Sequence, residues 1–331
     1  MHRSRCLLLA TLSVLGLAAC GSAATGAITA PRSAALAHWR TLLHVTRPLD
    51  VVAGPTHGSA IVAAAGKLFL LAPSGALTRY APAYASPAGE EPYIAASPGG
   101  CFGARAIYAI RLRDGRGITR VGASGRVRRF ASLTAPGLID GITFDLTGRF
   151  GHRLVVTINH GMTTTVDAID CSGSVSTITT TAPRVEGGIA VAPAAFGRFA
   201  GDLIAPDETG GRVFAVTPSG RSFLVGNSGL PHGGDVGVES EAFVPADPHA
   251  QALLADRLTP GNRHPGDDVL LALSHAQLSA AGVRAGDLVV ATEGGALVDD
   301  VRCGAASCQV RHVANGPAVA HAEGHIAFVD R

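Results

Sequence analysis

The 331-residue sequence has no dinucleotide-binding glycine motif, no P-loop and no G-x-S-x-G nucleophile motif. It also has no C-x-x-C pair, which argues against a zinc site built from cysteines. Charged residues make up 16% of the chain and the formal net charge is only +2. The composition therefore gives no reason to expect nucleic acid as a partner.

Long amphipathic helices are also missing. A doubly wound α/β fold needs helices of about a dozen residues between its strands, and only residues 274–283 offer a short helical insert. The chain instead has short apolar runs between turns, with 47% hydrophobic residues and 42 glycines. This pattern favours an all-β globular domain.

The N-terminus has the form of a processing signal. The basic segment "MHRSR" precedes "CLLLATLSVLGLA", which is too short and too early to be a membrane span of the mature protein. "LAAC" then resembles the bacterial lipobox, which implies cleavage before Cys20 and lipid attachment to it. We therefore expect a lipoprotein signal peptide at 1–19 and an extracytoplasmic protein anchored to the cell membrane by its acyl chains. An ordinary secretory signal peptide is the alternative.

The segment that follows is small and polar, so residues 20–45 are predicted to be a tether and residues 46–331 the folded domain. Within the tether, "ALAHWRTLLHV" is predicted to form a short amphipathic helix. No later run is long and apolar enough to span a membrane.

Four cysteines remain after processing, and an even number in an oxidising compartment suggests disulfides. Cys303 and Cys308 flank "GAAS", a loop short enough to close a hairpin. Cys101 and Cys171 are paired by elimination, with free buried thiols as the alternative for that pair.

A Ser-Gly turn recurs at 74–75, 124–125, 172–173 and 219–220, at spacings of 50, 48 and 47 residues. Each turn lies between two short strands. A repeat of this length holding about four strands is typical of a β-propeller blade, and residues 46–331 accommodate about six blades.

The fold class predicted is therefore an all-β, six-bladed β-propeller whose ring is closed by the C-terminal strand. The last residues, "AEGHIAFVD", have the pattern of an inner strand, and we expect them to complete the first blade. The alternative is that "LDVVAGP" supplies that inner strand and the ring closes differently.

Acidic residues recur directly before the predicted inner strands, where they would surround one mouth of the axial channel. These residues are Glu91, Asp140, Glu186, Glu241 and Glu323. The ends of the second strands open onto the same face and contribute Asn159, His160, Asp207, Glu208, Asp256 and Glu293. Like charges in a concave site repel one another, so the mouth needs a cation, protons or a basic partner. Alternatively, each acid binds backbone N–H groups and joins neighbouring blades.

Calcium prefers six to eight oxygen ligands, and carboxylates and amides supply them. We therefore predict a divalent cation, Ca²⁺ by this preference, in the channel. The predicted ligands are Glu91, Asp140, Asn159, Glu186 and Glu323.

The segments "EEPYI", "DGITF" and "EGGIAV" are similar to those of six-bladed propellers in the calcium-dependent phosphotriesterase class. This class includes the senescence marker protein/gluconolactonase family and its strictosidine synthase-like relatives. The resemblance implies a channel metal, with Glu91 and Asp140 in matching slots. Glu186 stands where the family often has Asn or Asp, and Asn159 matches a further Asn ligand by position.

Two functions follow as expectations. The first is an exported, lipid-anchored propeller that binds a divalent cation together with a small molecule or an extracytoplasmic protein. The alternative is a metal-dependent lactonase or esterase, as the resemblance implies. In that case Asp207, Glu208 and His160 are the candidate catalytic residues.

Overall fold

The computed structural model describes residues 35–87, 90–113 and 115–330. Its strands form six small sheets, so the prediction of an all-β, six-bladed propeller is confirmed. The signal peptide predicted at 1–19 and the lipidation predicted at Cys20 lie outside the described residues. In the described part of the chain, no helix has the length and apolar character needed to cross a membrane.

The first four blades are consecutive in the chain, and two short strands precede them: β1 (Ala37–His38) and β2 (Arg40–His44). Blade one contains β3 (Pro48–Ala53), β4 (Ala60–Ala64), β5 (Lys67–Leu71) and β6 (Leu77–Tyr80). Blade two contains β7 (Ile94–Ala96), β8 (Ile107–Arg111), β9 (Gly117–Val121) and β10 (Val127–Ser132). Blade three contains β11 (Leu138–Phe144), β12 (Leu154–His160), β13 (Thr163–Ile169) and β14 (Val175–Pro183). Blade four contains β15 (Ala190–Val191), β16 (Leu203–Asp207), β17 (Arg212–Val216) and β18 (Ser222–Asn227).

The repeated Ser-Gly dipeptides form tight turns between the two outer strands of each of these blades. Gly75, Gly125, Gly173 and Gly220 have φ angles of 88°, 77°, 93° and 84°. Each donates its N–H to the carbonyl three residues earlier. Glycine is favoured because this left-handed backbone conformation is costly for residues with a Cβ.

Blades five and six are interleaved in the chain. Their strands are β19 (Val238–Phe243), β20 (Ala250–Asp256), β21 (Val269–Ser274), β22 (Leu288–Thr292), β23 (Val298–Cys303), β24 (Cys308–Asn315) and β25 (Ala322–Asp330). Blade five contains β19, β22, β23 and β24, whereas in blade six β20 lies between β21 and β25. The chain therefore enters blade six, returns to complete blade five, and ends in the inner strand of blade six.

Both ends of the described chain close the ring. Strand β25 is an inner strand, as predicted, but it belongs to blade six because its antiparallel partner is β20. The inner strand of blade one is β3, the alternative considered from the sequence. At the N-terminal end, β2 forms the outer edge of blade six, and β1 adds a parallel fifth strand to blade five.

The short helix predicted from "ALAHWRTLLHV" is therefore wrong, and residues 37–44 belong to the propeller instead of the tether. Without β1 and β2, the edges of β24 in blade five and β21 in blade six would have unpaired backbone groups, and this segment pairs with both. Trp39 is buried between β1 and β2 and packs in the cluster that contains Leu278 and Val313. Edge pairing and burial of this aromatic ring favour strands over an isolated helical turn.

Two disulfides and one helix match the predictions. Cys303 is bonded to Cys308 across the β23–β24 hairpin, and Cys101 is bonded to Cys171 between blades two and three. Helix α1 (His275–Ala280) begins after Ser274, as expected. Ser274 and Gln277 form a capping box there, which satisfies N–H groups of the first turn. Single turns of 3₁₀ helix occur at Gly100–Phe102 and Gly197–Phe199.

The hydrophobic core is divided among the blade interfaces. Six clusters of buried residues each bridge one pair of neighbouring blades around the ring. Between blades two and three, for example, the ring of Phe102 meets those of Tyr108 and Phe144 edge to face. This packing holds the six inner strands at fixed positions around the axis.

Candidate metal centre

The first residues of the inner strands, and the loops beside them, line a cavity of about 180 Å³ at one end of the axial channel. We call this end the acidic mouth. Eight carboxylates line it: Glu91, Asp140, Glu186, Glu208, Asp235, Glu239, Glu293 and Glu323. Among the described residues that line it, Arg257 and His321 are the cationic partners. The expected crowding of acids around one opening is therefore present.

The tightest group in the acidic mouth consists of Glu293, His321 and Glu323. One donor atom from each lies within 4.8 Å of the others, and all three residues are buried. Glu293 follows β22, whereas His321 and Glu323 lie at the start of β25. An isolated bridge between Gly294 and His321 brings the two segments together.

His321 uses one ring nitrogen in this group. Its Nε2 lies 2.9 Å from Glu293 Oε1 and 3.3 Å from Glu323 Oε1, whereas its Nδ1 is buried without a partner. Burial disfavours the imidazolium, but the hydrogen bonds and charges of the two glutamates outweigh it and raise the pKa of His321 to about 10. The imidazole is therefore protonated at neutral pH, and an ion that binds Nε2 must displace that proton.

Arg257 and Tyr93 connect further acids to Glu323. Arg257 Nη1 donates to Glu91 and, at 2.9 Å, to Glu323 Oε1. The Tyr93 hydroxyl contacts Glu239 and lies 3.3 Å from Glu323 Oε2. These contacts fix the carboxylates of the channel wall at defined positions.

Several acids of the mouth hold protons more tightly than ordinary carboxyl groups. Burial and the nearby Glu186 and Glu293 raise the pKa of Glu208 to about 9. Burial, Glu323 and Glu293 raise the pKa of Glu239 well above its usual value. Burial and Glu186 do the same for Asp140. The acidic mouth therefore contains more acidic groups than the nearby cations can balance as ion pairs.

Four of the five predicted ligands line the cavity, and three of them are already paired with arginines. Glu91 and Glu323 share Arg257, and Glu186 Oε2 lies 2.8 Å from Arg184 Nη2. Asp140 is the fourth, and it accepts from the amide of Asn159.

Asn159 does not line the cavity. Its amide nitrogen donates to Asp140 Oδ2 and to the carbonyl of Val185, and its oxygen accepts from Thr164 Oγ1 at 2.6 Å. Asn159 therefore holds Asp140 in place from outside the cavity.

The three candidate catalytic residues are separated. Glu208 lines the cavity. Asp207, its neighbour in the chain, accepts from Arg212 at 2.7 Å and from the N–H of Gly210. His160 is exposed and lies in a different groove, on the surface of blades two and three. The structure therefore leaves Glu208 as the one of the three beside the acidic mouth.

The position predicted for Glu241 is wrong. The sequence placed it at the acidic mouth, but Glu239 occupies that position and Glu241 lines a cavity at the opposite end of the channel. The reason is local: β19 begins at Val238, earlier than expected, and a bulge between Val238 and Ser240 shifts its register.

Sequence reasoning also missed Tyr93, Asp235, Arg257 and His321. Arg257 and His321 lie next to strands of the interleaved blades, so their proximity depends on pairings that the repeat does not reveal. "HAEGH" places His321 two residues before Glu323, and this spacing on an extended segment is the signal that would have indicated it.

No protein-family model and no curated protein sequence matches the chain. Similar solved structures include virginiamycin B lyase from Staphylococcus aureus, with 13% identity, a TM-score of 0.46, and coverage of 81% of this chain and 86% of that chain. A gluconolactonase-like protein has 12% identity, a TM-score of 0.38, and coverage of 72% and 92%. An auxiliary nutrient-binding protein from Bacteroides thetaiotaomicron has 8% identity, a TM-score of 0.49, and coverage of 81% and 57%.

The resemblance to gluconolactonase-like propellers that the sequence suggested is thus found among the structural neighbours. At these identities the similarity concerns the fold. The activities in those names remain properties of the neighbours.

Proposed function

We propose that the chain is a divalent-cation-binding propeller that uses its metal to bind a small molecule or an extracytoplasmic protein at the acidic mouth. The observation that carries this proposal is the meeting of Glu293, His321 and Glu323 donors within 4.8 Å of one another. They lie in a cavity lined by eight carboxylates. A bound cation would supply the positive charge that these acids lack and would attract an oxygen-bearing ligand.

The donor set bears on the choice of ion. Two carboxylates and one imidazole are typical ligands of Mn²⁺ and Zn²⁺, whereas Ca²⁺ takes oxygen ligands almost exclusively. Glu239 and Glu208 would supply the additional oxygens that a calcium site needs. We propose a transition-metal ion at the histidine, and keep the Ca²⁺ of the original prediction as the competing ion in the test.

The location proposed is extracytoplasmic, with Cys20 lipidated and the acyl chains in the cell membrane. The lipobox-like "LAAC" supports lipidation, and two disulfides support an oxidising compartment. Mass spectrometry of the membrane fraction, with Cys20→Ala as the control, tests this part. An unmodified Cys20 in the mature protein would contradict it.

A metal-dependent lactonase or esterase is the second candidate, and Glu208 favours it. Glu208 is the candidate catalytic residue that lines the acidic mouth beside the candidate ligand Glu293, where a carboxyl group could transfer a proton to or from a bound ester. Turnover of a lactone panel that requires added metal and fails in Glu208→Gln would support this function.

The proposal is tested by elemental analysis and by calorimetric titration of EDTA-treated protein with Mn²⁺, Zn²⁺ and Ca²⁺. We expect one ion per chain, bound at least tenfold more weakly in Glu293→Gln. Glu186→Gln is the matched control, because Glu186 lines the same cavity but is not part of the group of Glu293, His321 and Glu323. Unchanged stoichiometry and affinity in Glu293→Gln would overturn the proposal, and metal binding without lactone turnover would favour the non-catalytic function.

A further inference from the structure

The other end of the axial channel contains a second cavity, of about 370 Å³. We call it the apolar mouth. All six inner strands contribute to its lining, and the partly exposed residues there include Val52, Thr143, Val191, Phe243 and Phe328. Its volume is in the lower part of the range typical of small-molecule sites, which are mostly apolar with a few placed polar groups.

Among the described residues that line the apolar mouth, the ionisable side chains are those of His325 and Glu241. His325 is paired with Asp50. Its backbone N–H lies 2.8 Å from Asp50 Oδ1, and its Nδ1 lies 3.1 Å from each carboxylate oxygen. The His325 side chain is therefore part of the wall of the channel.

Glu241 has no such partner. It is 1% exposed, and neither of its carboxylate oxygens makes a hydrogen bond. The backbone N–H of Ala190 favours the charged form but does not reach hydrogen-bond geometry with either oxygen. Burial raises the pKa of Glu241 well above its usual value. A buried carboxyl group without a partner destabilises a folded protein, so its presence in an apolar cavity points to a ligand.

We propose that the apolar mouth binds a small amphiphile with an apolar body and a protonated amine, and that the amine pairs with Glu241. The partly exposed Val and Phe side chains of the lining fit the apolar body, and the single unpaired carboxyl group is complementary to an ammonium group. The site uses neither the acids nor the candidate ion of the acidic mouth, so the two proposals stand separately.

Calorimetric titration with 1-heptylamine, 1-heptanol and heptanoate tests the chemistry of the head group on a constant apolar body. We expect the amine to bind about tenfold or more tightly than the alcohol, and heptanoate to bind most weakly. In Glu241→Gln the amine should lose this advantage while the alcohol binds within about twofold of the wild type. Glu239→Gln, two residues away on the same strand, is the matched control and should keep the preference for the amine.

A second measurement uses the unchanged protein, in case Glu241→Gln does not fold. Crystals of the unchanged protein soaked in heptylamine locate the amine directly. An amine nitrogen within hydrogen-bond distance of a Glu241 carboxylate oxygen would support the pairing. Equal affinities for amine and alcohol, an amine bound away from Glu241, or an amine preference that survives in Glu241→Gln would overturn the proposal.

Discussion

The two mouths of the channel are built from the same six inner strands, yet their chemistry is opposite. At one end, the first residues of the strands place eight carboxylates around about 180 Å³. At the other end, the later residues of those strands place a largely apolar wall around about 370 Å³, with Glu241 as its unpaired acid. Neighbouring carboxylates can be stabilised together by shared protons, by an arginine that contacts two of them, or by a bound ion. An isolated buried carboxyl group has none of these partners. Our two proposals therefore assign a different kind of positive group to each end.

The largest effect is expected from Glu323→Gln, because Glu323 contacts His321, Arg257 and Tyr93 together. Loss of this charge should weaken divalent-cation binding by about 100-fold. Calorimetric titration checks it, with Glu241→Gln as the control at the other mouth. If Glu241→Gln weakened the ion equally, the two mouths would not be separate sites.

Arg257→Met should destabilise the metal-free protein by about 2 kcal/mol, because it leaves Glu91 and Glu323 without their shared cation. Added Mn²⁺ should recover part of that loss, since a bound ion replaces the missing charge. Urea unfolding with and without the metal measures both values. A variant that is as stable as the wild type without metal would show that the acids do not need a counter-charge.

Glu241→Leu should act in the opposite direction. Replacing a buried carboxyl group that lacks partners by an apolar side chain should stabilise the protein by about 1 kcal/mol. Urea unfolding at neutral pH measures the change in stability, and Glu239→Leu at the acidic mouth is the contrasting variant. A clear loss of stability in Glu241→Leu would mean that the carboxyl group has a structural partner.

The sequence predicted the number of blades, the turns and the presence of acids at one mouth, because these follow from the repeat. It predicted both disulfides from the even number of cysteines and the short loop between Cys303 and Cys308. It failed where long-range pairing decides. The segments of β20–β21 and β22–β23 have the same strand pattern. The repeat therefore does not indicate that β20–β21 belongs to blade six and β22–β23 to blade five. The five residues of β2 are too few for periodicity to separate a strand from a helix.

Single-residue register explains the errors within the site. Asp207 is the last residue of β16 and pairs with Arg212, whereas Glu208 begins the turn that follows and lines the acidic mouth. The bulge in β19 likewise exchanged Glu239 for Glu241. Composition and spacing give no warning of a bulge, because it depends on how the neighbouring strand pairs.

The smallest effect concerns pH. The pKa of Glu208 is about 9 in the folded protein and near 4.5 when exposed, so the folded state holds its proton more tightly. Its contribution to stability is complete below about pH 4.5 and is lost as the pH rises through about 9. Glu208→Gln should therefore reduce the stability lost between pH 6 and pH 8 by about 1 kcal/mol in metal-free protein. This is less than the limit of about 2.7 kcal/mol for one proton over two pH units, because partial exposure to solvent reduces the effect. Urea unfolding between pH 6 and pH 8 measures this change in the free energy of unfolding. The same pH dependence in Glu208→Gln and the wild type would show that the Glu208 carboxyl group is exposed to solvent.

The position of the ion tests the central claim most directly. Anomalous scattering from crystals of the protein soaked in Mn²⁺ would locate it without any substitution. The account predicts one peak in contact with Glu293, His321 and Glu323 at the acidic mouth. A peak among Glu91, Asp140 and Glu186, or no peak in the channel at saturating Mn²⁺, would contradict it.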